Sequence, residues 1–163
     1  MFLNDLLKIE FNWKNKSRIV ELLGTETQLR FALFLVKRAL EYAPSEHIYY
    51  ESIDVLQRTI DEDIGFDLLA QYEGSLRRHI TYSTIDRSNR GLWDAALCIL
   101  YAVDRSRDGE HICHAMTYLA EIHIYNESKL FLEQEEQIAH IRLLVREYIM
   151  RTQPEQWLLA ASI

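Results

Sequence analysis

The chain has 163 residues, 48% hydrophobic and 26% charged, as expected for one globular domain spanning residues 1–163. Its net charge of −7 argues against a nucleic-acid-binding protein, which needs a basic face. No stretch reaches the roughly 18 consecutive apolar residues of a membrane span, and the first residues lack the pattern of an export signal.

The first predicted helix is short and covers about residues 17–23. The preceding residues, 1–15, have no clear period, and Trp13 is expected to anchor them onto the body of the protein. Gly24 is well placed to end the helix, because glycine adopts the left-handed conformation at a helix C-terminus at little cost.

The second predicted helix begins at Thr25 and ends before Pro44. Thr25 and Gln28 match a capping box, in which two side chains satisfy the first free amides of a helix. The apolar residues of this helix recur at steps of three and four, which predicts one buried face: Leu29, Ala32, Leu33, Val36 and Leu40.

A third helix is predicted from Ser45, its cap, to Gly65, which breaks it. Its buried face should hold Tyr49, Ile53, Leu56 and Ile60. A fourth helix is expected over about 66–80, and the hydroxyl-rich stretch 81–89 is interpreted as the main loop.

Residues 90–126 predict a central pair of apolar helices joined by a short polar turn. One inward face holds Trp93, Ala96, Leu97, Leu100 and Val103, and the other holds Ile112, Ala115, Met116, Leu119, Ile122 and His123. Both cysteines, Cys98 and Cys113, lie in this pair, and we expect them to be reduced core residues of a cytoplasmic protein.

The last long helix is predicted from Ser128, as its cap, to about Arg151, and Pro154 follows its end. Its buried face should hold Phe131, Gln134, Ile138, Ile141, Val145 and Tyr148. Residues 157–159 are expected to fold back onto the body. The sequence therefore predicts an all-α, single-domain bundle of about six to seven helices, or stacked antiparallel helical hairpins.

One segment carries residue types that bind metals: Glu110, His111, Cys113, His114, Glu121 and His123. His111 and His114 lie three apart on a predicted helix, close enough to share one ion. However, the chain has neither a zinc-site spacing nor the repeated Glu-x-x-His of di-iron bundles. We therefore expect no metal and no cofactor, and a metal-dependent hydrolase is only a lesser alternative.

No sequence pattern indicates catalysis. The chain has no Gly-x-Ser-x-Gly elbow and no glycine-rich phosphate loop, and both cysteines lie in apolar surroundings. We therefore predict no catalytic residues and expect that the protein is not an enzyme.

Two acidic clusters differ in their relation to the helix dipole. Glu133, Glu135 and Glu136 lie early in the last helix, where negative charge is favourable and needs no functional explanation. The other cluster falls where the third helix ends, and acidic charge there is unfavourable by about 0.3–1 kcal/mol per group. Either one of its members caps the next helix, or it faces a basic partner. We take it as the candidate partner-binding site: Asp61, Glu62, Asp63 and Asp67.

The run Ala32 to Pro44 partly matches the second helix of a tetratricopeptide repeat, at Ala32, Val36, Ala39 and Pro44. The first-helix signature and the 34-residue recurrence of that repeat are absent. The match leaves a helical-repeat scaffold or homo-oligomeric adaptor, with the last helix as its seam, as an alternative function.

The same run, followed by Ile53 and Leu56, and the later Leu92–Ala96 with His114–Ala115, are similar to the predicted immunity proteins of bacterial polymorphic toxin systems. The similarity spans residues 29–150. It implies a cytoplasmic protein that binds and neutralises one cognate protein toxin. From the acidic charge of the chain we expect its acidic side chains to meet a basic toxin surface. No site residue is implied by it, because the similarity has no diagnostic motif.

Overall fold

The computed structural model describes residues 1–42, 47–61, 71 and 110–163. In this part of the chain the fold is all-α, as predicted, with seven α-helices and no strand. The helices are α1 (Leu3–Leu6), α2 (Lys16–Leu22), α3 (Thr25–Tyr42), α4 (His47–Asp61), α5 (Glu110–Glu121), α6 (Glu127–Thr152) and α7 (Trp157–Ser162). Short 3-10 helices cover Trp13–Asn15 and Pro154–Gln156.

Several predicted features lie outside the described residues. They are the fourth helix near 66–80, the loop 81–89, the first helix of the central pair with Trp93 and Cys98, and the boundary residues Pro44, Ser45 and Gly65.

The core is built where α3, α5 and α6 meet. Helix α3 also packs against α4, and α6 also packs against α7, while α2 packs against α5. The largest fully buried side chains in the described ranges are Leu6, Ile19, Phe31, Leu35, Leu56, Ile112 and Met116. Helix α5, the second member of the predicted pair, buries Ile112, Ala115, Met116 and Leu119 as expected. Burial of Leu119 is thus confirmed.

Helix α3 confirms its predicted face, because Leu29, Ala32, Leu33 and Val36 are buried. Phe31 and Leu35 are buried as well, so the apolar stripe is wider than predicted. A wide stripe is what a helix needs when neighbours cover it on more than one side, and α3 contacts α4, α5 and α6.

The junction of α2 and α3 was predicted for the wrong physical reasons. Gly24 is not in the left-handed region; a Cβ there would lie 2.8 Å from the backbone nitrogen of Met1. The glycine is therefore needed for a close approach of two backbones. Gln28 does not complete a capping box with Thr25: its Nε2 donates to the carbonyl oxygens of Val20, at 3.0 Å, and Leu23, at 3.3 Å. It thereby satisfies acceptors at the end of α2.

The start of α6 also differs from the prediction. Asn126, not Ser128, is the N-cap: its Oδ1 accepts a hydrogen bond from the Lys129 amide at 3.1 Å. Phe131, which was predicted to be buried, is 60% exposed, and Glu133, whose charge was explained by the helix dipole alone, is 2% exposed. The other buried positions of α6 include Ile138, Ile141, Leu144, Val145 and Ile149.

Glu133 is buried because it has one partner on another helix and a second on its own helix. Its Oε2 lies 2.5 Å from Nη2 of Arg38 on α3, and its Oε1 accepts from Nε2 of Gln137 at 3.0 Å. Gln137 also donates to the Met116 carbonyl oxygen on α5, at 3.3 Å. A buried carboxylate is tolerated only when it is paired and hydrogen-bonded in this way. Arg38 additionally contacts Glu41 and Glu136, whose carboxylates are more than half exposed.

The two chain ends pack as predicted, in part. Trp13 is partly buried against the core, and Nζ of Lys16 lies 4.7 Å from its ring centroid. Helix α7 folds back onto α6 and buries Ala160, but Trp157 and Leu158 stay more than half exposed.

Candidate functional site

Of the four predicted partner-binding residues, the structure describes Asp61. It is exposed at the last residue of α4, and its Oδ2 accepts a hydrogen bond from Nε2 of Gln57 at 2.9 Å. Its position at a helix C-terminus is the dipole-opposing one that the sequence predicted. Glu62, Asp63 and Asp67 lie outside the described residues, so the cluster as a whole stays a prediction.

The residues with metal-binding potential are divided between two places. Glu110, Cys113 and His114 line a cleft of about 480 Å³ between α2 and α5, together with Lys16, Ser17, Glu21 and Thr117. Nε2 of His114 lies 4.0 Å from Oε1 of Glu110. Glu121 ends α5 and His123 lies in the turn after it; the side chain of His111 is not among those described. Within the described residues, no three such side chains converge on one point that could hold a metal.

His140 is a feature that the sequence analysis missed. Its ring stacks on Phe34 with a centroid distance of 3.8 Å, and Phe31 lies beside both. Burial, and secondly the positive charge of Lys37, lowers the pKa of His140 below its ordinary value of 6.5. The neutral imidazole thus serves as an aromatic packing group between α3 and α6.

Among the described residues, the surface that most resembles a binding site is the tip of the α5–α6 hairpin. Four large apolar side chains are exposed there, and we call them the hairpin tip: Ile122, Ile124, Tyr125 and Phe131. Tyr125 is fully exposed and Ile124 is 56% exposed. Ile122 was predicted to continue the buried face of α5, which is wrong because that helix ends at Glu121.

The backbone of the hairpin tip is held by a series of turn hydrogen bonds. The amide of His123 donates to Ala120, that of Ile124 to Glu121 and that of Asn126 to His123, at 2.8–3.0 Å. The cap from Asn126 then starts α6. Apolar side chains on a backbone fixed in this way lose little conformational freedom when a partner covers them.

The antiparallel alignment of the two helices explains why Phe131 belongs to this surface. The bond from Gln137 to the Met116 carbonyl places these two residues at the same level. Six residues earlier on α6, Phe131 falls level with Ile122, just after α5 has ended. No α5 side chain remains there to cover the ring, so the four residues share one end of the hairpin.

Exposed acidic residues flank the hairpin tip. Glu121 precedes it and Glu127 begins α6, while Lys129 is the nearby cation on that helix. An apolar centre with charged residues at its edge is the arrangement found in protein-binding surfaces. Chemically, this surface offers apolar contact and a weakly acidic rim.

No helix in the described ranges is long and apolar enough to cross a membrane. Comparisons of the chain with models of protein families, with curated proteins and with solved structures find no match.

Proposed function

We propose that the chain is a non-enzymatic binding protein that neutralises a cognate protein toxin by direct contact, as an immunity protein does. One observation carries the proposal: the hairpin tip exposes four large apolar side chains on a hydrogen-bonded backbone. Exposed apolar patches with polar rims mark interaction surfaces, and tyrosine is enriched among the residues that dominate binding energy.

The proposed mechanism is occlusion of the toxin. The hairpin tip inserts Ile124 and Tyr125 into an apolar depression of the partner, and water is excluded from the contact. The net charge of −7 favours a basic partner surface, which speeds encounter and disfavours acidic partners. In this proposal Asp61, Glu62, Asp63 and Asp67 add to the acidic charge that attracts a basic partner.

The proposal is tested with the product of the gene beside the one that encodes this chain, because an immunity gene adjoins its toxin gene. Isothermal titration calorimetry with the purified product should show binding by the wild-type chain. The double variant Ile124→Ser with Tyr125→Ser should bind at least thirtyfold more weakly, the loss expected when residues that dominate an interface are truncated (about 2 kcal/mol).

A matched control separates a specific surface from general apolar stickiness. Leu158 on α7 is 67% exposed, and Leu158→Ser removes a comparable side chain elsewhere. The control should keep wild-type affinity. An absence of binding to the neighbouring product, or equal binding by the tip variant and the wild type, would overturn the proposal.

The acidic cluster has its own test. Changing Asp61, Glu62 and Asp63 to their amides should slow association at low salt, and the difference should shrink as salt screens the charges. Stopped-flow measurement at low and high ionic strength distinguishes this result from an unaltered rate, which would identify the cluster as a solvated helix end.

A further inference from the structure

We propose that the outward face of α6 pairs with the same face of a second copy of this chain, in antiparallel orientation about a twofold axis near residue 141. The face is a stripe of six exposed residues: Leu132, Glu135, Ala139, Leu143, Arg146 and Met150. This stripe is separate from the hairpin tip, and the inference does not depend on the proposed function.

The helix geometry places these residues in one line. Successive residues turn an α-helix by about 100°, so all six positions fall within about 40° of Ala139. They extend along about 27 Å of α6. Leu132, Leu143 and Met150 are between 45% and 58% exposed, which is uncommon for large apolar side chains aligned on one helix.

The stripe is complementary to the same stripe of a second copy that runs in the opposite direction. Around an axis near residue 141, Leu132 faces Met150 of the second copy, and Ala139 faces Leu143. Each bulky residue therefore meets an apolar partner, and the small Ala139 leaves room for a leucine side chain. An isologous contact repeats every such pair twice.

The charges of the stripe select the antiparallel orientation. In this arrangement Glu135 and Arg146 of the second copy differ in level by one residue, about 1.5 Å, which an arginine side chain easily spans. In a parallel arrangement Glu135 would face Glu135, and Arg146 would face Arg146. Like charges would then oppose each other at both levels. Neither residue has an ion-pair partner among the described side chains of its own chain.

The charge pattern makes a second copy the fitting occupant. A different partner would have to present the same apolar spacing with its own reversed charge pair, whereas a second copy supplies both by symmetry. The contact is one helix wide, so the dimer is expected to be a reversible one at the small end of the range of interface sizes.

Sedimentation equilibrium on the full chain tests the inference. The wild type should shift from its monomer mass of 19.3 kDa toward twice that value as concentration rises to about 1 mM. Arg146→Glu places like charges opposite each other twice, and it should raise the dissociation constant about tenfold or more.

A charge swap makes the test specific. The double variant Glu135→Arg with Arg146→Glu restores opposite charges in an antiparallel homodimer, and it should recover dimerisation. The control Asp54→Arg changes an exposed charge on α4, which is not part of the stripe, and should leave the dissociation constant unchanged.

Three results would overturn the inference. The first is a monomer mass over the whole concentration range. The second is a dimer that Arg146→Glu does not weaken, which would place the contact elsewhere. The third is a failure of the charge swap to restore a dimer that Arg146→Glu has weakened, while circular dichroism shows that the swapped chain is folded.

Discussion

Replacing Arg38 with methionine should lower the free energy of unfolding by about 3–5 kcal/mol, because it removes the arginine from a carboxylate that is buried. The side chain of Glu133 is 1% exposed, whereas that of Arg38 is 18% exposed. Methionine keeps most of the apolar stem, so the variant tests the charge more than the packing.

The magnitude follows from how differently the three carboxylates that lie near Arg38 among the described residues are exposed. Glu41 and Glu136 are 59% and 54% exposed, so losing their ion pairs contributes only about 0.2–1 kcal/mol each. Most of the effect must therefore come from Glu133. A matched control is Arg30→Met on the same helix, which breaks an exposed pair with Glu26 and should cost no more than about 1 kcal/mol.

A double-mutant cycle isolates the contribution of the buried pair. Glu133→Gln removes the charge but keeps a similar shape, so Arg38→Met should be much less destabilising in that background, with a coupling energy of about 2–3 kcal/mol. Urea denaturation followed by circular dichroism gives the four free energies. If the two changes add to within about 0.5 kcal/mol, the reasoning that a buried charge dominates is refuted.

Three further predictions concern the core, a helix cap and pH. Leu119→Ala should cost about 2–5 kcal/mol, as for a fully buried leucine, and a thermal melt equal to wild type would contradict its place in the core. Asn126→Ala should cost about 0.5–2 kcal/mol in urea denaturation, whereas Ser128→Ala should change stability by less than about 0.5 kcal/mol; the reverse order would make Ser128 the cap. The pKa of His140 is lowered on folding, so the unfolded chain binds more protons below its ordinary value of 6.5. The stability contributed by His140 is therefore complete above pH 6.5 and is lost as pH falls through the lowered pKa. The variant His140→Phe keeps a ring against Phe34, and its free energy of unfolding should depend less steeply on pH than that of the wild type. Equal slopes would contradict this prediction.

The elements best predicted from sequence were those whose apolar period and end signals agree. Helix α3 was expected to begin at Thr25 and to end before Pro44. Its described part, Thr25–Tyr42, begins at the predicted residue and carries the predicted three- and four-residue stripe, while Pro44 lies outside the described residues. The inner face of α5 was predicted for the same reason. The period of the apolar residues tells which side of a helix they occupy. In these two helices the side that is buried carries apolar side chains throughout.

The buried polar groups of α6 could not be assigned by that reasoning. Glu133 and Gln137 lie four residues apart on the same face as Ile141, and that spacing was a signal that they point inward. The deciding partner, Arg38, is 95 residues away in the chain, and no local pattern identifies it. The prediction that Phe131 is buried was wrong for the opposite reason. Phe131 lies on the correct side of α6, but the neighbouring helix α5 has already ended at its level.

In the candidate site, too, some features could be predicted from local sequence and others could not. Asp61 is the last described residue of α4, in the region where the dipole argument expected the helix to end. The hairpin tip was missed because Ile122 fits the period of α5, and only the termination of that helix turns it outward. Where a helix stops is set by competition between its last turns and the following cap, here Asn126.

The bond from Gln137 to Met116 bears on how many alignments of α5 and α6 are available to the chain. Aliphatic side chains interdigitate acceptably in more than one alignment, and a slide of one turn, about 5.4 Å, would retain much apolar contact. That slide would separate Gln137 from its carbonyl and carry Glu133 away from Arg38, leaving buried groups unsatisfied at about 1–3 kcal/mol each. These side chains thus raise the free energy of the shifted alignments more than they lower that of the native one. Replacing Arg38, Glu133 and Gln137 together with apolar residues would preserve stability, but it would remove the penalty that excludes the shifted alignments of α5 and α6.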